Sequence, residues 1–377
     1  MGLTELTEIS RFYGSAPGYV IAGGGNTSFK DRDTLYIKGS GTSLNTNEPE
    51  GFVKMDRGKL ALIWEKNYGE NPEERERAVL ADMMAARRPG EENKRPSVET
   101  LLHDILPFEY VVHTHPSLVN GLCCSKNGEA KAADFFGDDA IWIPSCNPGY
   151  VLCALVKTSL DAYRSRTGKE AALIFLQNHG VFVGADSTDG IKAIYGRIMG
   201  VLEKHIKEKP DFSGKVTEYA NSAEIAALLA RLAGGNSVAV FERNNEFARL
   251  AEDASSFYPV SSALTPDHIV YSGSDPLFIG AADLSSASGP ETLWKGHLEK
   301  IGRVPKIAAV QGLGVFGIGD SEKAARLALS LFTDTARVSK YADSFGGALF
   351  MTRDKIDFIN NWEVERYRSK IAASQNS

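Results

Sequence analysis

At 377 residues, 43% hydrophobic and 24% charged, the chain is neither a disordered nor a collagen-like polymer, and it exceeds what one hydrophobic core usually organises, so two domains are expected. A formal charge of −6 and a pI near 5.8 leave no basic stripe for a phosphate backbone, so nucleic acid is not expected as a partner, and an anionic small substrate would need local positive groups. No apolar run of about 18 residues appears, and the first residues are acidic where a signal peptide would be apolar; no membrane association and a cytoplasmic setting are expected.

Up to about residue 208, amphipathic helices alternate with short apolar strands, the pattern of a layered α/β or α+β domain. In chain order, the small-residue turn Gly23-Gly24-Gly25-Asn26-Thr27-Ser28 enters a strand-rich region, a strand follows over 35–38, and a second small-residue turn covers 39–43. Both turns offer backbone amides and hydroxyls that could wrap an anion, although each also fits a plain turn. Helices are predicted over 73–87, 97–106, 149–166 and 188–207, and further strands over 110–115, 140–143 and 172–177. The Pro- and Gly-containing segment after residue 208 reads as a linker over 209–216, leaving 217–377 as a second, smaller α/β domain. That second part echoes the first: Gln311-Gly312-Leu313-Gly314-Val315-Phe316 resembles Gln177-Asn178-His179-Gly180-Val181-Phe182, and 269–274 resembles 36–41 as a strand running into small residues. Leu313 stands where His179 does, and no counterpart of the segment His113-Thr114-His115 is evident, so the second domain is read as degenerate and without metal ligands.

Two histidines two positions apart on an apolar strand, His113 and His115, share one face. Neutral imidazoles so placed suit zinc, and a third ligand with one open position would make the site catalytic. His179 is the best third candidate, at a tight corner between two apolar strands. Spacing alone fits equally well a half-buried strand face with a satisfied turn histidine. His103, His205, His268 and His297 lack such settings; His103, with its helical neighbours, is the nearest to an exception. Pro96-Ser97-Val98-Glu99 reads as a helix start with a capping serine and a first-turn acid, but the histidine pair one helix later also makes Glu99 a candidate acid/base. Cys123, Cys124, Cys146 and Cys153 have no zinc-knuckle or disulfide spacing and read as free thiols. The G-x-G-x-x-G match at 312–317 is not read as a dinucleotide site, because the next helix starts only near Asp320 and too little chain follows for the βα units such a fold needs.

Taken in order, GGGNTS, IKGSGTS, PSVE, HTHP and QNHGVF resemble the class II aldolase/adducin domain over residues 5–206. The likeness looks strongest to the aldolase portion of bifunctional rhamnulose-1-phosphate aldolase/lactaldehyde dehydrogenase proteins; since this chain stops at Ser377, no dehydrogenase activity is expected. The resemblance implies a three-layer α/β/α fold whose central sheet is largely antiparallel, with helices on both faces. It implies zinc, or another divalent metal, on His113, His115 and His179, with Glu99 as the acid/base. It assigns substrate phosphate to Gly25, Asn26, Ser40, Gly41 and Ser97. The implied reaction is cleavage of a ketose 1-phosphate, rhamnulose- or fuculose-like, to dihydroxyacetone phosphate and a short aldehyde through a metal-stabilised enediolate, in a homo-oligomer. The chain departs from the frequent Ser-Ser-Glu pattern at Val98, losing one hydroxyl. Epimerase, decarboxylase or dehydratase chemistry would use the same zinc site, although the epimerases carry an aspartate where Glu99 stands. Adducin-like members are non-catalytic scaffolds without a complete metal triad.

Overall fold

The computed structural model describes residues 2–286 and 288–362; the end of the expected second domain, 363–377, lies outside the described residues. The chain forms two compact units, one holding 2–123, 127–205 and 361–362, the other holding 124–126 and 206–360.

The first unit is built on a seven-stranded sheet: β1 (Asn26–Lys30), β2 (Thr34–Lys38), β3 (Phe52–Asp56), β4 (Tyr110–Thr114), β5 (Ile141–Ile143), β6 (Leu173–Leu176) and β7 (Gly180–Ala185), in the order β3-β2-β1-β4-β7-β6-β5. Every neighbouring pair is antiparallel except β5 with β6. Helices Arg57–Ile63, Pro72–Ala85, Thr100–Ile105 and Tyr150–Thr167 build one outer layer. Helices Gly2–Ser15, Ser117–Cys123 and Thr188–Glu203 build the other, giving three α/β/α layers. All five residues of β4 are buried because both faces are covered. Side chains therefore alternate between layers: Val111 joins the core under the first set of helices, while Thr114 Oγ1 lies 2.7 Å from the Tyr195 hydroxyl in the second.

β1 carries no apolar alternation, yet it lies next to the centre of the sheet. Its polar residues are paired with the helices on either side. Thr27 Oγ1 is 2.6 Å from Ser10 Oγ on one face; on the other, Ser28 Oγ is 2.7 Å from His103 Nδ1 and the Lys30 ammonium donates to the His103 carbonyl at 2.8 Å. The expected helix over 97–106 is shorter. Residues 97–100 form a turn in which Thr100 N–H donates to the Ser97 carbonyl at 3.1 Å, and Glu99 stands at the N-cap of Thr100–Ile105 without capping it through its side chain. No described helix is long and apolar enough to cross a membrane.

The second unit holds a four-stranded sheet, β8 (Val238–Glu242), β9 (Leu277–Ile279), β10 (Ile307–Val310) and β11 (Gly314–Gly319), ordered β8-β11-β10-β9. This repeats the layout β4-β7-β6-β5. Both hairpins close in the same register, Leu176 opposite Gly180 and Val310 opposite Gly314, and each has a parallel strand beyond it. The Gln177 and Gln311 amides donate to Ile143 and Ile279 at 3.0 and 2.9 Å, and Ser187 and Ser321 cap the helices that follow. Two sequence expectations are corrected here. Residues 268–272 form a buried π-helical turn, not a strand, so the supposed echo of 36–41 has no structural counterpart. The His-Thr-His segment does have one: with Phe182 matched to Phe316, the residue opposite is His113 in one unit and Phe241 in the other. A strand of Val-Ala-Val-Phe makes the same pairing without the polar pattern that would reveal it in the sequence. The G-x-G-x-x-G match is a hairpin turn, with the next helix starting at Glu322.

Burial pushes the Lys30 ammonium from 10.5 down to about 7; Asp104 acts to raise it and Arg57 to lower it. Between those values the unfolded chain holds the proton and the folded chain does not, so stability rises with pH across that window, with a slope on the order of 1 kcal/mol per pH unit. Urea denaturation at pH 7 to 9 is expected to show this rise in the native protein and lose it in Lys30→Met. Equal slopes in both would contradict it.

Candidate metal centre

Strand alternation turns His113 to the same face as Val111, under the helix that Glu99 begins. Its ring is fully buried and stacks on Phe182, its cross-strand partner, with centroids 4.1 Å apart and planes 16° from parallel. The His113 Nδ1 lies 3.0 Å from the Val181 carbonyl, which only a ring N–H can satisfy, so Nε2 carries a lone pair. His115 follows the strand end, its backbone N–H held by the Tyr19 carbonyl at 3.0 Å. His179 comes from the β6–β7 turn, where Asn178 takes a left-handed φ of 59° and its N–H donates to the Cys123 carbonyl. Gly180 lets the turn approach: a Cβ there would stand 2.6 Å from the Thr114 carbonyl oxygen and 2.7 Å from the His115 ring.

The three rings meet with centroids 4.7, 4.9 and 5.1 Å apart, and one candidate ligand atom from each lies within 4.8 Å of the others. Among the described residues, they form the one such group of three or more side chains. His115 Nε2 is 2.9 Å from His113 Nε2. Glu99 Oε1 stands 3.4 Å from His113 Nε2 and 3.5 Å from His179 Nε2; it is buried and accepts no hydrogen bond, whereas Oε2 accepts one from Asn26 Nδ2 at 2.6 Å. An orphaned carboxylate oxygen in the interior costs roughly 1–3 kcal/mol. Converging nitrogens, one with its tautomer fixed, beside that oxygen fit a divalent cation of zinc type.

The small-residue turns lie beside this cluster. Gly39 pairs with Pro96, Ser40 N–H donates to the Arg95 carbonyl at 2.8 Å, Ser43 Oγ donates to the Ala22 carbonyl at 3.4 Å, and Asn26 Nδ2 donates to Ser97 Oγ at 3.0 Å. Ser40 and Gly41 are half-buried and accessible, and the Lys38 ammonium lies 3.4 Å from the Gly23 carbonyl, a positive group that the sequence reading did not single out. Two of the residues expected at the phosphate also hold the cluster together. Gly25, at φ 69°, is where the turn passes the His113 backbone: a Cβ would meet that carbonyl at 2.8 Å. Asn26 is buried, its amide hydrogens on Ser97 and Glu99 and its oxygen on His103. Cys123, Cys124 and Cys153 are buried, with burial pushing the Cys123 and Cys153 thiols upward, which suits inert packing.

Residues 4–194 match the family model described as the class II aldolase and adducin N-terminal domain. The chain belongs to this family. All the residues of the cluster, from Asn26 to His179, fall inside the matched class II aldolase and adducin segment. A Bacillus subtilis (strain 168) protein named as the uncharacterized oxidoreductase YuxG is 23% identical over 417 residues, covering 98% of this chain and 58% of the relative. The chain thus spans a little over half of that relative's length. Solved structures similar to it include the N-terminal class II aldolase domain of a conserved protein from Thermoplasma acidophilum, 26% identical at a TM-score of 0.45, covering 54% of this chain and 92% of that one. The L-fuculose-1-phosphate aldolase from Thermus thermophilus is 15% identical at a TM-score of 0.33, covering 53% and 91%.

In this class II aldolase and adducin domain, Gly180→Ala is expected to push the His115 ring aside. Zinc affinity measured by competition with a chromophoric chelator should fall roughly tenfold or more, with the far-ultraviolet circular dichroism spectrum unchanged. Unaltered affinity would show that the close approach at Gly180 does not set the ring position.

Proposed function

We propose that the first unit is a zinc-dependent aldolase that cleaves a ketose 1-phosphate, rhamnulose- or fuculose-like, to dihydroxyacetone phosphate and a short aldehyde. The observation that carries this reading is the unpaired Glu99 Oε1, held within 3.5 Å of two of three converging imidazoles. Membership of the class II aldolase and adducin family supports lyase chemistry in general. His113, His115 and His179 would hold the ion, which supplies Lewis acidity at a carbonyl without a lysine Schiff base. When the carbon–carbon bond breaks, the hydroxyl-bearing carbon leaves as an aldehyde, its hydroxyl proton passing to solvent, and the other carbon must gain a proton, so that none is gained or lost overall. Glu99 Oε1 delivers that proton, while Oε2 stays fixed by Asn26. Ser40, Gly41 and Ser97 bind the phosphate with Lys38 near the Gly23 carbonyl, and Gly25 and Asn26 act behind them as supports for His113 and Glu99. The second unit, with Phe241 and Leu313 in the equivalent positions, takes a structural or assembly role in a homo-oligomer.

Ketose 1-phosphates screened for dihydroxyacetone phosphate release, with metal analysis alongside, test this. His113→Ala is expected to lose both zinc and cleavage. Glu99→Gln should keep zinc and lose about 10²- to 10⁴-fold in kcat. A zinc-loaded protein that releases no dihydroxyacetone phosphate from any of them, or full activity in metal-free His113→Ala, would overturn the assignment. Isomerised, decarboxylated or dehydrated products would transfer the site to those chemistries, and a chain with no zinc affinity would point to a scaffold.

A further inference from the structure

His103 follows Glu99 by one helical turn on the same face, its backbone N–H on the Glu99 carbonyl at 3.1 Å, and its side chain is fully buried. Neither ring nitrogen is available to a metal: Nδ1 is 2.7 Å from Ser28 Oγ and Nε2 meets Asn26 Oδ1. The directions of these bonds are fixed from the other end. Asn26 Nδ2 donates to Glu99 Oε2 at 2.6 Å and Ser97 Oγ at 3.0 Å, so Asn26 Oδ1 is the atom facing His103, and it accepts only from a ring N–H. The neutral imidazole then has its one proton on Nε2, and Ser28 donates to Nδ1. Burial holds the imidazole well below its ordinary pKa, in line with a single ring proton. Three alternate residues of β1 meet this one histidine: Asn26 and Ser28 at its ring nitrogens and Lys30 at its carbonyl.

We propose that His103 is a positioning residue for the Glu99 carboxylate: its Nε2–H locks the Asn26 carboxamide so that Nδ2 pins Glu99 Oε2 and leaves Oε1 facing the three imidazoles. Without that donor Asn26 Oδ1 is left buried and unsatisfied, the plane of the carboxamide is held only from its Nδ2 side, and the bond to Glu99 Oε2 fixes the carboxylate less firmly. Histidine serves here through polarity, which separates it from a merely space-filling core residue. The inference rests on reading Glu99 as the proton-transfer group.

The test uses the full-length zinc-loaded chain. In His103→Phe, zinc content is expected to stay stoichiometric while the side-chain NH₂ of Asn26, followed by ¹⁵N NMR, exchanges with solvent roughly tenfold faster. With the ketose 1-phosphate found in the screen, kcat is expected to fall roughly tenfold to a hundredfold with KM within about twofold. His103→Gln, whose amide is a donor of similar reach, should restore both. Unchanged Asn26 exchange and kcat in His103→Phe, or losses that track zinc content and melting temperature alone, would overturn the proposal. Should His103→Phe fail to fold, the ¹⁵N shifts of the native imidazole decide: an Nε2–H tautomer supports it and an Nδ1–H tautomer rejects it. If the native chain cleaves no ketose 1-phosphate, the aldolase reading fails by itself, while tautomer and amide exchange still decide the role of His103.

Discussion

The antiparallel pairing of β4 between β1 and β7 decides where each side chain of the candidate site goes. Asn26 lies opposite His113 on one side, and Phe182 lies opposite it on the other. A one-residue slip in either register would turn a member of this set to the opposite helical layer, where Tyr13 and Tyr195 pack. Because both layers are closed over the sheet, register is fixed by burial, and with it the position of His113 to within a hydrogen bond to the Val181 carbonyl. The third imidazole depends on the same pairing, since the β6–β7 hairpin brings it back to the end of β4.

From this constraint follows an asymmetry in the Glu99 carboxylate that suits proton transfer. One oxygen is tied through Asn26 to a buried polar chain ending at Ser28; the other faces imidazoles and accepts no hydrogen bond. Each added link reduces the freedom of the carboxylate proposed to transfer the proton, as expected where geometry matters more than affinity. The small-residue turns contribute in two ways: Gly25 and Gly180 allow backbones to pass close to the histidines, while Ser40 and Gly41 remain accessible.

Much of this was legible in the sequence because local spacing carries it. His113 lies on β4 and His115 one residue beyond its end, two positions on, and the Asn178-His179-Gly180 corner sits between apolar runs, as the hairpin shows. Less legible was β1, whose Asn-Thr-Ser-Phe-Lys has no apolar period because its partners are hydrogen-bonding side chains of two helices. The role of His103 was hidden for the same reason, although its helical setting and the four-residue spacing from Glu99 were usable signals. The place of Asn26 was beyond sequence reasoning altogether, because nothing local tells whether a turn asparagine points outward to a ligand or inward to a carboxylate.

The second unit repeats the strand layout without the imidazoles. Its four strands have the order and hairpin register of the strands that carry the histidine cluster, yet Phe241 and Leu313 stand at the positions of His113 and His179, and the Arg243 guanidinium donates to the Gly312 and Leu313 carbonyls of the turn. The contrast sets the proposed function on three side chains and a carboxylate, not on the sheet that carries them. X-ray absorption at the zinc edge of the purified, metal-loaded chain tests that centre most directly. Expected is a first shell of about three imidazole nitrogens near 2.0–2.1 Å, reduced by one in His179→Ala; a sulfur shell near 2.3 Å, or a native spectrum that His179→Ala leaves unchanged, would contradict it.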